Sequence, residues 1–221
     1  MIGYQRALDA ICLVAAAVLV VMSILSIMEN VRHLYELCTG LVCAFFCLLP
    51  TIFARKHIMS LPLWFAFFME VAIFLHAYGV LLMSYDLLEF YDTLTHTFSS
   101  FVISLCVIMT LFTLQRYNER IKFTVGFTTV FIFVIMMAFG TYWEVLEYVV
   151  DQLTGTGMQY SPFDTVRDMF SNALGSMLGS LFIYIYMRRW SIEEFIDSIN
   201  VNKKLRKFLA GKHGEHTPEK G

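Results

Sequence analysis

Charge is what this sequence has least of. Only 15% of its 221 residues are Asp, Glu, Lys or Arg, against roughly a quarter in a soluble domain. That deficit excludes an ordinary soluble domain. Short segments of alternating polarity are missing too, which excludes a β-barrel. No Ala-x-Ala-like site follows the first apolar run, Ala10 to Met28. The run is also longer than a signal-peptide core, so it is expected to stay as a membrane span. Zinc-type cysteine spacing and a disulfide framework are both absent. Cys43 and Cys47 are four apart, as two ligands on a helix would be. With no polar partner nearby, they read instead as small buried hydrophobes. There is no internal repeat, no nucleotide-binding loop and no nucleic-acid motif, so nucleic acid is not an expected partner.

What the sequence has is apolar length. Hydrophobic residues make up 58% of the chain, gathered into runs near the ~20 residues a helix needs to cross the hydrocarbon core. Six spans are expected, at about 8–28, 37–54, 61–83, 94–114, 123–150 and 169–188. The fold class is therefore all-α, a polytopic membrane helical bundle over residues 1–190. The second span is the shortest. The fifth is overlong, so its polar C-terminal end is expected to project to the interface or to line a cavity.

Lys and Arg set the orientation. With the N-terminus cytoplasmic, Arg6, Arg55, Lys56, Arg116, Arg120, Lys122 and every basic residue from Arg188 onward lie inside. Of the sixteen Lys and Arg, only Arg32 and Arg167 fall outside. Both termini are thus expected in the cytoplasm, with the protein in the inner (plasma) membrane. Residues 191–221 form a basic tail. Ile192, Phe195, Ile196, Ile199, Leu205, Phe208 and Leu209 roughly follow a helical pattern. Either an amphipathic helix on an anionic leaflet or a solvated helix or coil fits it. The end, with His213 and His216, is expected to be disordered.

This topology brings distant acids to one leaflet. Asp92 and His96 open the fourth span, Glu144, Glu147 and Asp151 close the fifth, Asp164 and Asp168 lead into the sixth, and His76 lies near the outer end of the third. Carboxylates against lipid are expensive, so such groups face a protein interior or a water-filled cavity. Asp92 and His96 share a helix face. They can ligate a metal jointly, or Asp92 can orient the imidazole. Alternatively Asp92 is only a helix-start acid on the positive dipole end. Glu144, Glu147 and Asp151 crowd the negative end of a helix dipole, so a cation, protonation or Arg167 must compensate them. Asp164, Asp168, Asn172, Gly175 and Gly179 form one stripe, acidic outside and small deeper in. Gly175 to Gly179 is a GxxxG match, read as helix packing. Asp164, two residues after Pro162, fits an N-cap. Glu70, near the midplane, reads as hydrogen-bonded to a neighbouring helix.

Tyr91-Asp-Thr-Leu-Thr-His96, Trp143-Glu-Val-Leu-Glu-Tyr148 and Phe163-Asp-Thr-Val-Arg-Asp-Met-Phe170, followed by Asn172 and Leu174-Gly175, resemble the YjdF-type bacterial inner-membrane proteins. The resemblance covers about residues 70–185. A looser likeness links the chain to VanZ-like proteins, which are associated with glycopeptide resistance. Carried over, the motif positions are Asp92, His96, Glu144, Glu147, Asp164 and Asp168. The chain departs from the family's Tyr-Thr-Tyr-like run after the third span, having His76, Tyr78, Gly79 and Tyr85 there. The resemblance implies motif positions and a multi-pass fold, not a reaction.

Three functional readings stand at this point. The first is a divalent metal or small-ligand site. It assigns metal ligation to Asp92, His96, Asp164 and Asp168, catalytic work to Glu144 and Glu147, and secondary contacts to His76, Asp151 and Asn172. Carboxylates with histidine suit Zn, Mn or Fe, and carboxylates alone suit Mg. Such an ion can activate water against a lipid or lipid-linked substrate. The second is a proton-coupled transporter, which needs a relay continuing inward, with Glu70 the deep group. The third is a non-catalytic polar brace between helices.

Overall fold

In lipid a backbone has no water to bond, so long apolar runs satisfy their own N–H and C=O groups as helices. The structure, a computed structural model, describes residues 2–29, 33–88, 90–118, 120–155, 157–159, 161–186 and 199–210. In chain order its elements are α1 (Ile2–Glu29), α2 (His33–Arg55), β1 (Met59–Ser60), α3 (Leu63–Leu81), α4 (Ser84–Leu87), α5 (Tyr91–Tyr117), α6 (Val125–Thr154), α7 (Pro162–Tyr186), β2 (Asn200–Val201) and α8 (Lys203–Ala210). Among the described residues six helices are long and apolar enough to cross a membrane: α1, α2, α3, α5, α6 and α7. The all-α, six-span architecture expected from the sequence is the one observed.

Two helices begin earlier than hydropathy suggests, and both shifts matter for the site. The fourth span starts at Tyr91, so Asp92 lies in its first turn. The sixth starts at Pro162, so Asp164 and Asp168 sit inside its first two turns rather than ahead of it. The cap there is Ser161, whose Oγ accepts from the Asp164 backbone N–H at 3.2 Å. Proline then occupies the first helical position, where its missing N–H costs nothing. Asp164 is therefore not the cap, and its carboxylate pairs with Arg167. The overlong fifth span closes with Gly155 in the left-handed region (φ 68°), a C-terminal stop suited to glycine.

The tightest packing joins α5 to α7. A Cβ on Gly175 would run into the Thr97 carbonyl oxygen and the Ser100 Cβ, and one on Gly179 into the Ser104 Cβ. The small-residue stripe on α7 thus lies against a serine stripe on α5, as the GxxxG pattern predicted. The main core gathers Phe65, Leu105, Ile108, Ile132 and Met136 between α3, α5 and α6. A second cluster, with Ala16, Leu19, Cys47 and Leu81, joins α1, α2 and α3. Cys12 and Cys47 are fully buried and Cys43 nearly so, but Glu70 of α3 faces Cys12 and Cys47, so the expected lack of a polar partner fails for Cys47.

Among the described residues, every Lys and Arg except Arg167 shares one end of the bundle with the described part of the tail. There Arg55 Nη2 pairs with Asp9 Oδ2 at 2.7 Å. The described part of the tail is tied down rather than loose. β2 pairs antiparallel with β1, Met59 opposite Val201. Ile199 and Val201 enter the main core. Arg206 Nε donates to the Val201 carbonyl at 2.7 Å and its guanidinium lies over the Tyr117 ring. The expected tail residues Ile192, Phe195 and Ile196, with His213, His216 and Arg32, lie outside the described residues. Val201→Asp puts a carboxylate into an apolar site, a substitution of the costly kind. It is expected to free this segment and to speed trypsin cleavage at Lys203 and Lys204. A cleavage rate equal to that of the unaltered chain would show that the docking does not hold.

Candidate functional site

At the end opposite Arg55 and β1, the first turns of α5 and α7 lie side by side. The close approach at Gly175 and Gly179 sets their spacing. One turn out along the stripe, Asn172 reaches α5, and Asp168 follows a turn later. The Asn172 Oδ1 accepts from Ser100 Oγ at 2.6 Å and stands 3.4 Å from His96 Nδ1. An oxygen there suits a proton on Nδ1, and Nε2 turns to the other side.

That other side is carboxylate. His96 Nε2 lies 3.3 Å from Asp92 Oδ1. Asp168 completes the group: one ligand atom from each of Asp92, His96 and Asp168 lies within 4.8 Å of the others. Asp168 is 1% exposed, and its Oδ1 has no hydrogen-bond partner. The Asp92 and Asp168 carboxyls face each other. Lone pairs facing one another in a dry site need a positive charge between them, supplied by a proton or a metal ion.

Arg167 supplies part of the compensation, at the rim. Its Nη2 donates to Asp92 Oδ2 at 2.9 Å and also to Asp164 Oδ1, and its Nε stands 3.8 Å from Asp168 Oδ1. Of the four ligands expected from the sequence, three converge. The fourth, Asp164, is 7% exposed and turned to Arg167. Arg167 does not serve the three acids of α6, the role considered for it from the sequence.

Those three acids diverge. Asp151 accepts from the backbone N–H groups of Met158 and Gln159 at 2.7 and 2.8 Å, so it folds the chain back after α6. Glu147 accepts from Trp143 Nε1 at 2.7 Å and lines a cavity of about 930 Å³ that Asp92, His96 and Asn172 also line. Glu144 faces a separate pocket of about 290 Å³ with Gln159 and Thr165. It is 5% exposed, and its Oε1 has no hydrogen-bond partner. The two acids expected to act together thus open on different spaces.

His76 lines the larger cavity. Its Nδ1 is 3.0 Å from Tyr85 Oη, and the Trp143 ring meets it edge-on at 5.4 Å. Burial pushes the Tyr85 phenol well above its usual pKa, so it stays neutral beside the imidazole. Glu70 points elsewhere. It is 4% exposed, with both oxygens lacking a hydrogen-bond partner, and it faces the thiols of Cys12 and Cys47 rather than the cavity.

Sequence reasoning missed Tyr85, Trp143, Ser100 and Glu36. Glu36 is 3% exposed, accepts from Ser26 Oγ at 2.8 Å and lines the cavity from α2. Trp143 and Glu147 are four apart on a helix, a spacing that does signal a contact. Tyr85, in a short connecting helix, carries no such signal.

Neither a curated protein nor a solved structure matches the chain. A family model does match, over residues 11–189, spanning all three elements of the polar site. On the strength of that match, the chain belongs to the DUF2238 family of predicted membrane proteins.

Proposed function

We propose that Asp92, His96 and Asp168 bind a divalent metal ion at the extracytoplasmic face of the inner (plasma) membrane and present it to a lipid or lipid-linked substrate. The observation that carries this reading is the buried Asp168 oxygen without a hydrogen-bond partner, set within ligating reach of the Asp92 carboxylate and the His96 imidazole. Ligands about 2.0–2.2 Å from one ion lie about 3.0–3.5 Å apart, and the His96–Asp92 separation is 3.3 Å. Two carboxylates with one imidazole suit Zn, Mn or Fe, with Mg fitting less well. Asn172 and Ser100 hold the imidazole in its ligating tautomer. Such an ion supplies an activated water, and Glu147 faces the same cavity as a base for it. The orientation rests on Lys and Arg, which gather at the other end of the bundle and make that end, with both termini, cytoplasmic. The likeness to YjdF-type and VanZ-like proteins accords with this placement of the site.

A proton relay has less support. Glu70 faces Cys12 and Cys47, and the cavity residues of α3 are Met69, Ala72, Ile73, His76, Gly79 and Val80.

The test is elemental analysis of detergent-purified protein prepared without chelators. About one equivalent of a transition metal is expected, falling to background in Asp92→Ala/His96→Ala. A metal-free wild type would end this reading and leave His96 as an imidazolium braced by two aspartates.

A further inference from the structure

We infer that the larger cavity holds one acyl chain of a membrane phospholipid from the leaflet on the acidic side, with the head group at the polar end. Only the head-group half of this inference rests on the metal reading above. Polarity is segregated along the cavity. Asp92, His96 and Glu147 stand at its mouth, while Phe46, Leu49, Ile103 and Met136 line the rest. A water-filled shaft would need polar partners for its waters along the whole length, and the deeper part offers few.

The depth fits one leaflet. From His96 to Cys106 along α5 is ten residues, about 15 Å of helix, and from Glu147 to Met136 along α6 is eleven, about 16 Å. Half of a ~30 Å hydrocarbon core is about 15 Å. A chain entering beside the head group therefore ends where the shaft ends.

The shaft also opens sideways. α2 packs on α1 and α3, α6 packs on α7 and α5, and the two make no packed interface with each other. Their lining residues are exposed at this gap: Val42 at 52% and Phe46 at 46% on α2, and Phe139 at 52% on α6. In a bilayer that gap faces acyl chains. At the mouth, a head-group phosphate oxygen meets the proposed ion beside Asp92 and His96, a partner that stabilises phosphoryl oxygens.

The test uses the full chain reconstituted in vesicles of phosphatidylethanolamine and phosphatidylglycerol. The probe is a phosphatidylethanolamine carrying a diazirine midway along one acyl chain. After illumination, adducts are mapped by peptide mass spectrometry. Adducts on Phe46, Ile103 and Met136 are expected. Ala72→Phe and Ile103→Trp, which fill the shaft away from the metal ligands, are expected to cut the remaining shaft adducts roughly tenfold, as a loss of about 1.4 kcal/mol of affinity would. Leu174→Trp, on an outward face of α7, is expected to leave them unchanged. Adducts spread over outward residues such as Val14 and Val130, or an equal loss in Leu174→Trp, would overturn the inference. If the filled variants do not fold, the wild-type adduct pattern decides by itself. Metal content is read on the same samples. Shaft adducts without metal defeat the metal reading alone, and metal without shaft adducts defeats the lipid inference alone.

Discussion

Arg167→Met is expected to destabilise the protein by about 3 kcal/mol, near the low end for breaking a buried charge pair. The reason is the company Arg167 keeps. It bonds Asp92 and Asp164 and lies near Asp168, and those three residues are 9%, 7% and 1% exposed. Removing the guanidinium leaves carboxylates in a dry site without that positive charge. The Arg167 side chain is itself 34% exposed, which puts the expectation below the upper limit for fully buried pairs. Adding Asp164→Asn should restore part of the loss, because it removes one of the charges that Arg167 compensates. Divalent metal should raise the thermal midpoint of Arg167→Met more than that of wild type, since the freed carboxylates are better able to take an ion and a ligand that binds only the folded state stabilises it. Thermal unfolding in detergent, with and without metal, measures all three. A midpoint for Arg167→Met equal to that of wild type would show that the aspartates do not rely on it.

The contrast between what the sequence disclosed and what it hid has a physical basis. Span count follows from apolar length, which the bilayer imposes regardless of tertiary contacts. Asp92, His96, Asp168 and Asn172 were legible because helical spacing puts each pair on one face, and because the packing stripe at Gly175 and Gly179 fixes which face of α7 meets α5. The behaviour of Arg167 was not legible. Its long stem leaves several acids within reach, and only the relative height of α5 and α7 decides among them. The divergence of Glu144 from Glu147 was hidden for a related reason. Three residues along a helix are about 60° short of a full turn, enough to put one acid on the α7 side of α6 and the other over the cavity. The docking of Asn200 and Val201 on Met59 and Ser60 rests on a two-residue ladder, too short to leave a periodic signal. Glu36 was overlooked because an acid in the first turn of a helix has a sufficient explanation in the helix dipole, yet its carboxylate is held by Ser26 of the neighbouring helix.

Gly175 should be the least replaceable residue outside the polar cluster. A methyl group there runs into the Thr97 carbonyl oxygen and approaches the Phe101 backbone nitrogen. Backbone cannot rotate away as a side chain can, so α7 must move off α5. Gly175→Ala is expected to cost about 3 kcal/mol, the upper part of the usual range for overpacking. Gly179→Ala is expected to cost less, because its nearest obstacle, the Ser104 Cβ, stands farther off than the Thr97 carbonyl oxygen does from Gly175, and the Phe101 carbonyl oxygen lies at 3.4 Å. The two substitutions also differ in reach. Gly175 is one turn from Asn172 and two from Asp168, so displacing it pulls both away from His96 and Ser100. Gly175→Ala should therefore lower metal content along with stability, while Gly179→Ala should leave metal content near wild type. Thermal unfolding and elemental analysis on the same preparations separate the two effects. If Gly179→Ala proved as harmful as Gly175→Ala, the backbone contact at Thr97 would not be what sets the distance between α5 and α7, and the geometry of the cluster would need another cause.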